Sequence, residues 1–185
     1  YLKLCPAADR ELRFAVPCGA AGHLSAGMLA QAMGLPIHLI GATNANDALH
    51  QLLTRGCLER GSVRCTVSPS MDIMLPYNAW RLLFVASGGD GGAVRRWQAE
   101  AAEGTLRLPA AVLEWFSRRL SVESIGDDET LRTMRAVHET CAGYVLDPHT
   151  AVGVAAARRV DAKRRAIAND GGASQATICL ACAHP

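Results

Sequence analysis

Between Leu12 and Gly56, two short apolar runs each hand over to a segment with helical periodicity, and the links are only a few residues long. The first run, Leu12–Val16, reads as a strand. Apolar positions at Leu24, Met28, Leu29, Ala32 and Met33 then predict a helix over His23–Met33, with Gly34 as its stop. Pro36–Ala42 predicts a second strand, closed by the polar tip Thr43-Asn44-Ala45-Asn46. Leu49, Leu52 and Leu53 set a second helix over Asp47–Arg55, with Gly56 just past its end. Strand–helix–strand–helix with short links implies parallel pairing and a right-handed crossover. The expected fold class is α/β, a parallel sheet built from βαβ units.

The remainder reads as mostly helical. Pro76–Ser87 is apolar enough to be buried, and four glycines in Gly88–Gly92 make a flexible break. Helices are expected at Ala93–Glu103, Pro109–Leu120 and Asp127–Thr140, with their Arg and Glu residues on solvated faces. Asp147 reads as an N-cap with Pro148 at the first helical position, opening a helix to about Ala168. Gly171-Gly172 is a turn, and Ala176–Ala181 is a last strand without charges.

Half of the 185 residues are hydrophobic, enough for one domain with its own core. No apolar run approaches the roughly 20 residues of a membrane helix, so no membrane partner is expected. A net charge of +2 without a basic block argues against nucleic acid. Seven scattered cysteines, an odd number, fit reduced thiols in the cytoplasm or an organelle better than a disulfide framework. Cys179-Leu-Ala-Cys182 has redox or half-zinc spacing, but no second pair completes a metal site, so no metal is expected. The pair ends a β-like run instead of opening a helix, and reads as two small thiols on a buried strand, with a redox pair as the alternative. His38, His50 and His138 have no partner at ligand spacing and read as structural. Tyr1 in place of Met, and a last strand running straight into Ala183-His184-Pro185, read as the cut ends of a longer polypeptide.

Val16-Pro17-Cys18-Gly19-Ala20-Ala21-Gly22-His23 joins the first strand to the first helix. A loop at the C-terminal end of a parallel strand, opening a helix, offers free backbone N–H groups at the positive end of the helix dipole. Gly19 and Gly22 permit close approach, and Ala20 and Ala21 add amides without bulk. The spacing is neither a Walker loop nor G-x-G-x-x-G. From the loop alone, phosphate binding and an ordinary tight turn both remain open.

Five segments in order resemble one family. The loop just quoted looks like the V-P-T-G-x-x-G-N of threonine synthases, and Ala42-Thr43-Asn44-Ala45-Asn46-Asp47 is similar to their A-T-N-x-N-D. Ser68-Pro69-Ser70-Met71-Asp72-Ile73 matches their S-P-S-M-D-I, and the run from Gly143 to Gly153 resembles G-Y-x-L-D-P-H-T-A-V-G. The end, Cys179 to Pro185, looks like C-L-A-T-A-H-P. Tyr77-Asn78 and the paired alanines of the loop lean toward the threonine synthase-like branch found in animals and some other lineages.

The resemblance implies a fold-type II enzyme dependent on pyridoxal 5'-phosphate that converts O-phosphohomoserine and water to threonine and phosphate, or releases phosphate by elimination. Residues 1–185 would form a C-terminal-side portion of it, with a helix-rich insertion at about 76–140. Gly19, Ala20, Ala21, Gly22 and His23 would hold the cofactor phosphate. Cys182 would face the pyridine nitrogen, and Ser70 and Asp72 would contact substrate; an N-cap or turn role fits Asp72 equally, and Ser68 and Ser70 either touch a substrate phosphate or close turns beside Pro69. For His149 a structural hydrogen bond is favoured over proton transfer.

Cys18 and His23 depart from the family's Thr and Asn, changes that a site built on backbone amides tolerates. Cys182 replaces a Thr, and the weaker thiol hydrogen bond costs about 1 kcal/mol in cofactor binding. Such an enzyme also needs a lysine as covalent anchor. The chain has only Lys3, ahead of the first strand, and Lys163, in an Arg-rich helical run that reads as surface. The anchoring lysine is therefore expected upstream of Tyr1, with no catalytic residue in this chain. The alternative is a catalytically inactive, truncated binding module of the same family.

Overall fold

Alternate residues of the two central strands, β1 (Leu12–Pro17) and β2 (Ile37–Thr43), feed two separate cores. Val16, Ile37 and Leu39 join one; Ala15, Ile40 and Ala42 join the other. Coverage on both faces explains why these strands read as continuous apolar runs. The computed structural model describes residues 12–58, 61–168 and 176–181. With β3 (Leu120–Ser124) and β4 (Thr177–Cys179), the strands form one sheet in the order β3-β2-β1-β4, every pairing parallel.

On the first face lie α1 (Gly22–Ala32), α2 (Ala48–Arg55), α3 (Ala79–Ala86), α4 (Gly91–Glu103) and α5 (Ala110–Ser117). Leu24, Leu52, Leu82, Trp97 and Phe116 bring all five into one core. Each helix buries one stripe: in α2 the inward residues are Leu49, Leu52 and Leu53, and Gly56 ends the helix at φ 71°. On the second face, α6 (Asp127–Thr140) packs on α7 (Pro148–Ala168) through Val137 and Ala151. Val152, Ala155, Ala156 and Val160 of α7 cover Ala15, Ile40 and Ala42.

Two contacts set the register of α7 along β1. Gly153 lies against Pro17, where an added Cβ would come within 3.1 Å of the proline ring. Two turns further on, Asp161 pairs with the buried Arg13 near the other end of the strand. The start of α7 is thereby held beside the loop that follows β1.

The chain departs from the sequence reading in the middle. The helix expected to reach Leu120 stops at Ser117, and Leu120–Ser124 is instead an edge strand. Its inward Glu123 is 6% exposed and is paired with Arg159 and Lys163, so a charge sits where strand patterning calls for an apolar residue. Only Gly88 and Gly89 form a turn. Gly91 and Gly92 already belong to α4, because the Asp90 carboxylate accepts from the N–H groups of Gly92 (2.8 Å) and Ala93 (3.0 Å). In the segment expected to be buried, α3 begins at Ala79, and Phe84 and Tyr77 are exposed. Gly171-Gly172 lies outside the described residues.

Candidate functional site

All four strands point their C-terminal ends to one edge of the sheet, because all pair in parallel. The loops after β1 (Cys18–Ala21), β2 (Asn44–Asp47) and β3 (Ile125–Gly126) leave from that edge. Open parallel sheets bind ligands there, where helix N-termini and loop amides converge.

The loop after β1 is built to expose amides. Cys18 N–H still donates to the Ala42 carbonyl at 2.7 Å, extending the sheet by one bond. Its thiol turns inward onto the Val16 carbonyl at 3.0 Å, so the departure from Thr is buried away from the loop's open side. Ala21 then adopts the left-handed region, φ 66°, a conformation that costs a non-glycine residue about 1 kcal/mol. It caps α1 without a side-chain hydrogen bond. The N–H groups from Gly19 to Leu24 have no acceptor among the described residues. Six donors at a positive helix end are a cradle for an anion.

Two neighbouring segments hold this loop. Gly19 packs so tightly on the turn at Pro69–Met71 that a Cβ would lie 3.1 Å from the Ser70 carbonyl, the Met71 Cα and Ile73. The Asn78 N–H donates to the Ala20 carbonyl at 3.0 Å, and the Ser25 hydroxyl faces the carbonyls of Ala21 (2.8 Å) and Asn78 (3.1 Å). His23, in the first turn of α1, is exposed.

Asp72 has a structural task. One oxygen accepts from the side-chain amides of Asn44 (2.7 Å) and Asn46 (2.9 Å) and the Thr66 hydroxyl (2.7 Å). The other accepts the Thr66 N–H at 3.0 Å. Desolvation alone would raise its carboxyl, but the two Thr66 bonds and the asparagine amides outweigh it and hold the acid below its usual range. Asn44 and Asn46, 1% and 3% exposed, are satisfied by this carboxylate and by Ser68 and Arg64. The Asn-x-Asn and Ser-Pro-Ser-Met-Asp segments are thus one hydrogen-bonded unit, which is the turn role for Asp72. Ser70 itself is exposed, and its hydroxyl has no partner among the described residues.

His149 supports the same turn from behind. Asp147 caps α7, accepting from the N–H groups of His149 (2.9 Å) and Thr150 (3.0 Å) and from the Thr150 hydroxyl. Its carboxyl is lowered: burial opposes the charge, but the bonds from Thr150 and His149 outweigh it. Asp147 also lies 3.1 Å from Nδ1 of His149, while Nε2 accepts the Ser70 N–H at 3.2 Å. A backbone N–H only donates, so the neutral ring carries its proton on Nδ1.

Lys163 lies beyond Asp161 along α7, and its ammonium pairs with Glu123 on β3. Cys182 and Lys3 lie outside the described residues. Burial raises the Cys179 thiol, the reverse of what a reactive redox cysteine needs. An apolar cavity of about 530 Å³ beside Met74, Leu75 and Trp80 does not include the amide loop, which sits on the open sheet edge.

Threonine synthase of Saccharomyces cerevisiae is 37% identical over 192 residues, covering 96% of this chain and 36% of the yeast protein. Over nearly its whole length the chain is homologous to threonine synthases and threonine synthase-like proteins. Threonine synthase-like 2 of Rattus norvegicus is 36% identical over 161 residues, 83% of the chain and 33% of the rat protein. Among solved structures, the pyridoxal-phosphate-bound threonine synthase of Brucella melitensis superposes with a TM-score of 0.85 at 40% identity, over 100% of this chain and 38% of that one. The chain therefore spans little more than a third of the threonine synthases it matches. No family model matches it. The α/β fold with a parallel sheet and several helices stands as expected.

Sequence reasoning missed three residues of this site: Asn44, Asn46 and the backbone of Asn78. The first two had a signal. Two asparagines beside a buried strand end must be satisfied by a nearby acceptor, and Asp72 is the acid in the adjoining motif. The Asn78 bond had none, because any residue but proline supplies a backbone N–H.

Proposed function

We propose that this chain supplies the cofactor-phosphate cradle of a threonine synthase-like enzyme dependent on pyridoxal 5'-phosphate, acting on O-phosphohomoserine to release phosphate with threonine as the organic product. The observation that carries this reading is the row of unpaired amides from Gly19 to Leu24 at the positive end of α1. It fits a phosphate dianion: the donors are many, side chains on the loop are small, and no carboxylate bonds to it among the described residues. When bound, pyridoxal phosphate supplies an electron sink beside the amino acid's α-carbon.

Gly19, Ala20, Ala21 and Gly22 bind the phosphate through their N–H groups, and His23 adds a donor at the rim. Cys182, outside the described residues, would meet the pyridine nitrogen, as the resemblance implies. The free hydroxyl of Ser70 contacts the substrate phosphate, and Asp72 holds the turn that presents it. The lysine that anchors the cofactor comes from sequence upstream of this chain, a reading supported by the pairing of Lys163 with Glu123.

The test is phosphate release from O-phosphohomoserine by the polypeptide that carries this chain, loaded with pyridoxal phosphate, with threonine assayed in parallel. Phosphate with threonine is the expected result. Phosphate without threonine replaces hydration with elimination. No phosphate from loaded protein overturns the enzymatic reading and leaves the binding module.

A further inference from the structure

Three elements meet at one backbone amide. Asp147, at the start of α7, fixes the His149 ring through Nδ1–H. Nε2 then accepts the Ser70 N–H. The Ser70 carbonyl and Met71 Cα in turn lie where a Cβ on Gly19 would be 3.1 Å away. His149 is 9% exposed and Asp147 5%, so the ring and the carboxylate that fixes it are both held away from water. Gly153 on Pro17 seats the same helix at the end of β1, one turn below His149. The imidazole thus reaches from a rigid helix end to the turn that Gly19 rests upon, and stops one residue short of the amide loop.

We propose that His149 is a positioning residue for the phosphate cradle: through its Nε2 lone pair it holds the Ser70 turn against Gly19, setting where the loop amides and the Ser70 hydroxyl meet a bound phosphate. This rests on the reading of the loop as the cradle of pyridoxal phosphate. Without an acceptor at that nitrogen the Ser70 N–H loses the partner that fixes it, and the turn moves to find another. Because Gly19 has no slack on its Ser70 side, the loop moves with the turn. A displacement of this kind weakens a site of fixed donors far more than it weakens the fold.

The test compares His149→Phe, which keeps the ring volume without an acceptor, with His149→Gln, whose amide oxygen reaches the Nε2 position. Both are made in the polypeptide that carries this chain, and pyridoxal phosphate affinity is titrated alongside urea unfolding. His149→Phe is expected to weaken cofactor affinity about tenfold, and His149→Gln to stay within about threefold of wild type. Cofactor affinity unchanged in His149→Phe, whatever its stability, overturns the proposal. Should that variant fail to fold, hydrogen exchange at the wild-type Ser70 amide decides. Strong protection that rises with bound pyridoxal phosphate supports the bond, and free exchange in the loaded protein removes it. Wild-type protein that binds no pyridoxal phosphate defeats the proposed function and this inference together; wild type that binds, with an indifferent His149→Phe, defeats only this one.

Discussion

The Asn78 N–H donates to the Ala20 carbonyl across 3.0 Å, and this bond aims the amide loop. In a trans peptide the C=O and N–H point in opposite directions. With the Ala20 carbonyl turned to Asn78, the Ala21 N–H of the same peptide points away from it. A segment nearly 60 residues downstream thus decides which way a donor of the cradle faces.

Gly19→Ala tests how tightly the loop is held. The new Cβ meets two backbone atoms, the Ser70 oxygen and Met71 Cα, at 3.1 Å, and neither moves without shifting the turn. Urea unfolding is expected to show a loss of about 1–3 kcal/mol, with weaker binding of pyridoxal phosphate. A variant as stable and as tightly bound as wild type contradicts the packing described.

Removing the Asp72 carboxylate takes one acceptor from each of the buried amides of Asn44 and Asn46 and both of its bonds from Thr66. Asp72→Ala is expected to cost roughly 2–3 kcal/mol. Ser70→Ala, which deletes a hydroxyl without a partner among the described residues, stays within about 0.5 kcal/mol of wild type. Equal losses in the two variants refute the division between a structural Asp72 and a free Ser70.

His38 gives the fold an acid sensitivity. Burial, then the charges of Arg164 and Arg13, lower its pKa from 6.5 to about 4. Between those values the unfolded chain binds more protons than the folded one, so stability rises with pH across that window. Acidification from pH 6.5 to 4 therefore costs up to about 3 kcal/mol. Unfolding free energies measured across this range should fall in wild type and flatten in His38→Gln. A slope that His38→Gln leaves unchanged would assign the effect elsewhere.

Thiol labelling at neutral pH separates the cysteines. Cys65 and Cys141 are exposed, whereas Cys179 is half-buried on β4 with its thiol pushed up by desolvation. Iodoacetamide should modify Cys65 and Cys141 well before Cys179. Early modification of Cys179 would restore the redox reading of the Cys-x-x-Cys segment.

Much of the fold was legible where one physical signal acted alone. The apolar runs at β1 and β2 and the leucines of α2 each pointed to the element formed, to within a residue or two at the ends. β3 was hidden because Glu123 occupies an inward position and its neutralising partners, Arg159 and Lys163, are supplied by a helix far along the chain. The amide loop was visible as small residues between a strand and a helix. What the sequence did not show was its fixing: the left-handed Ala21, the turn against Gly19 and the Asn78 bond arise only from tertiary contact. His149 was read as a structural hydrogen bond, and its partner is the Ser70 backbone, which carries no sequence signature.

In the proposed function the loop from Gly19 to His23 binds a phosphate group. The most direct measurement titrates the polypeptide that carries this chain with pyridoxal phosphate and, separately, with pyridoxal, which lacks the phosphate. If the amides form the cradle, pyridoxal phosphate binds at least about 100-fold more tightly, the value of a few charge-assisted hydrogen bonds. Equal affinity for the two compounds would mean that the loop is an ordinary turn and that the account of the site is wrong.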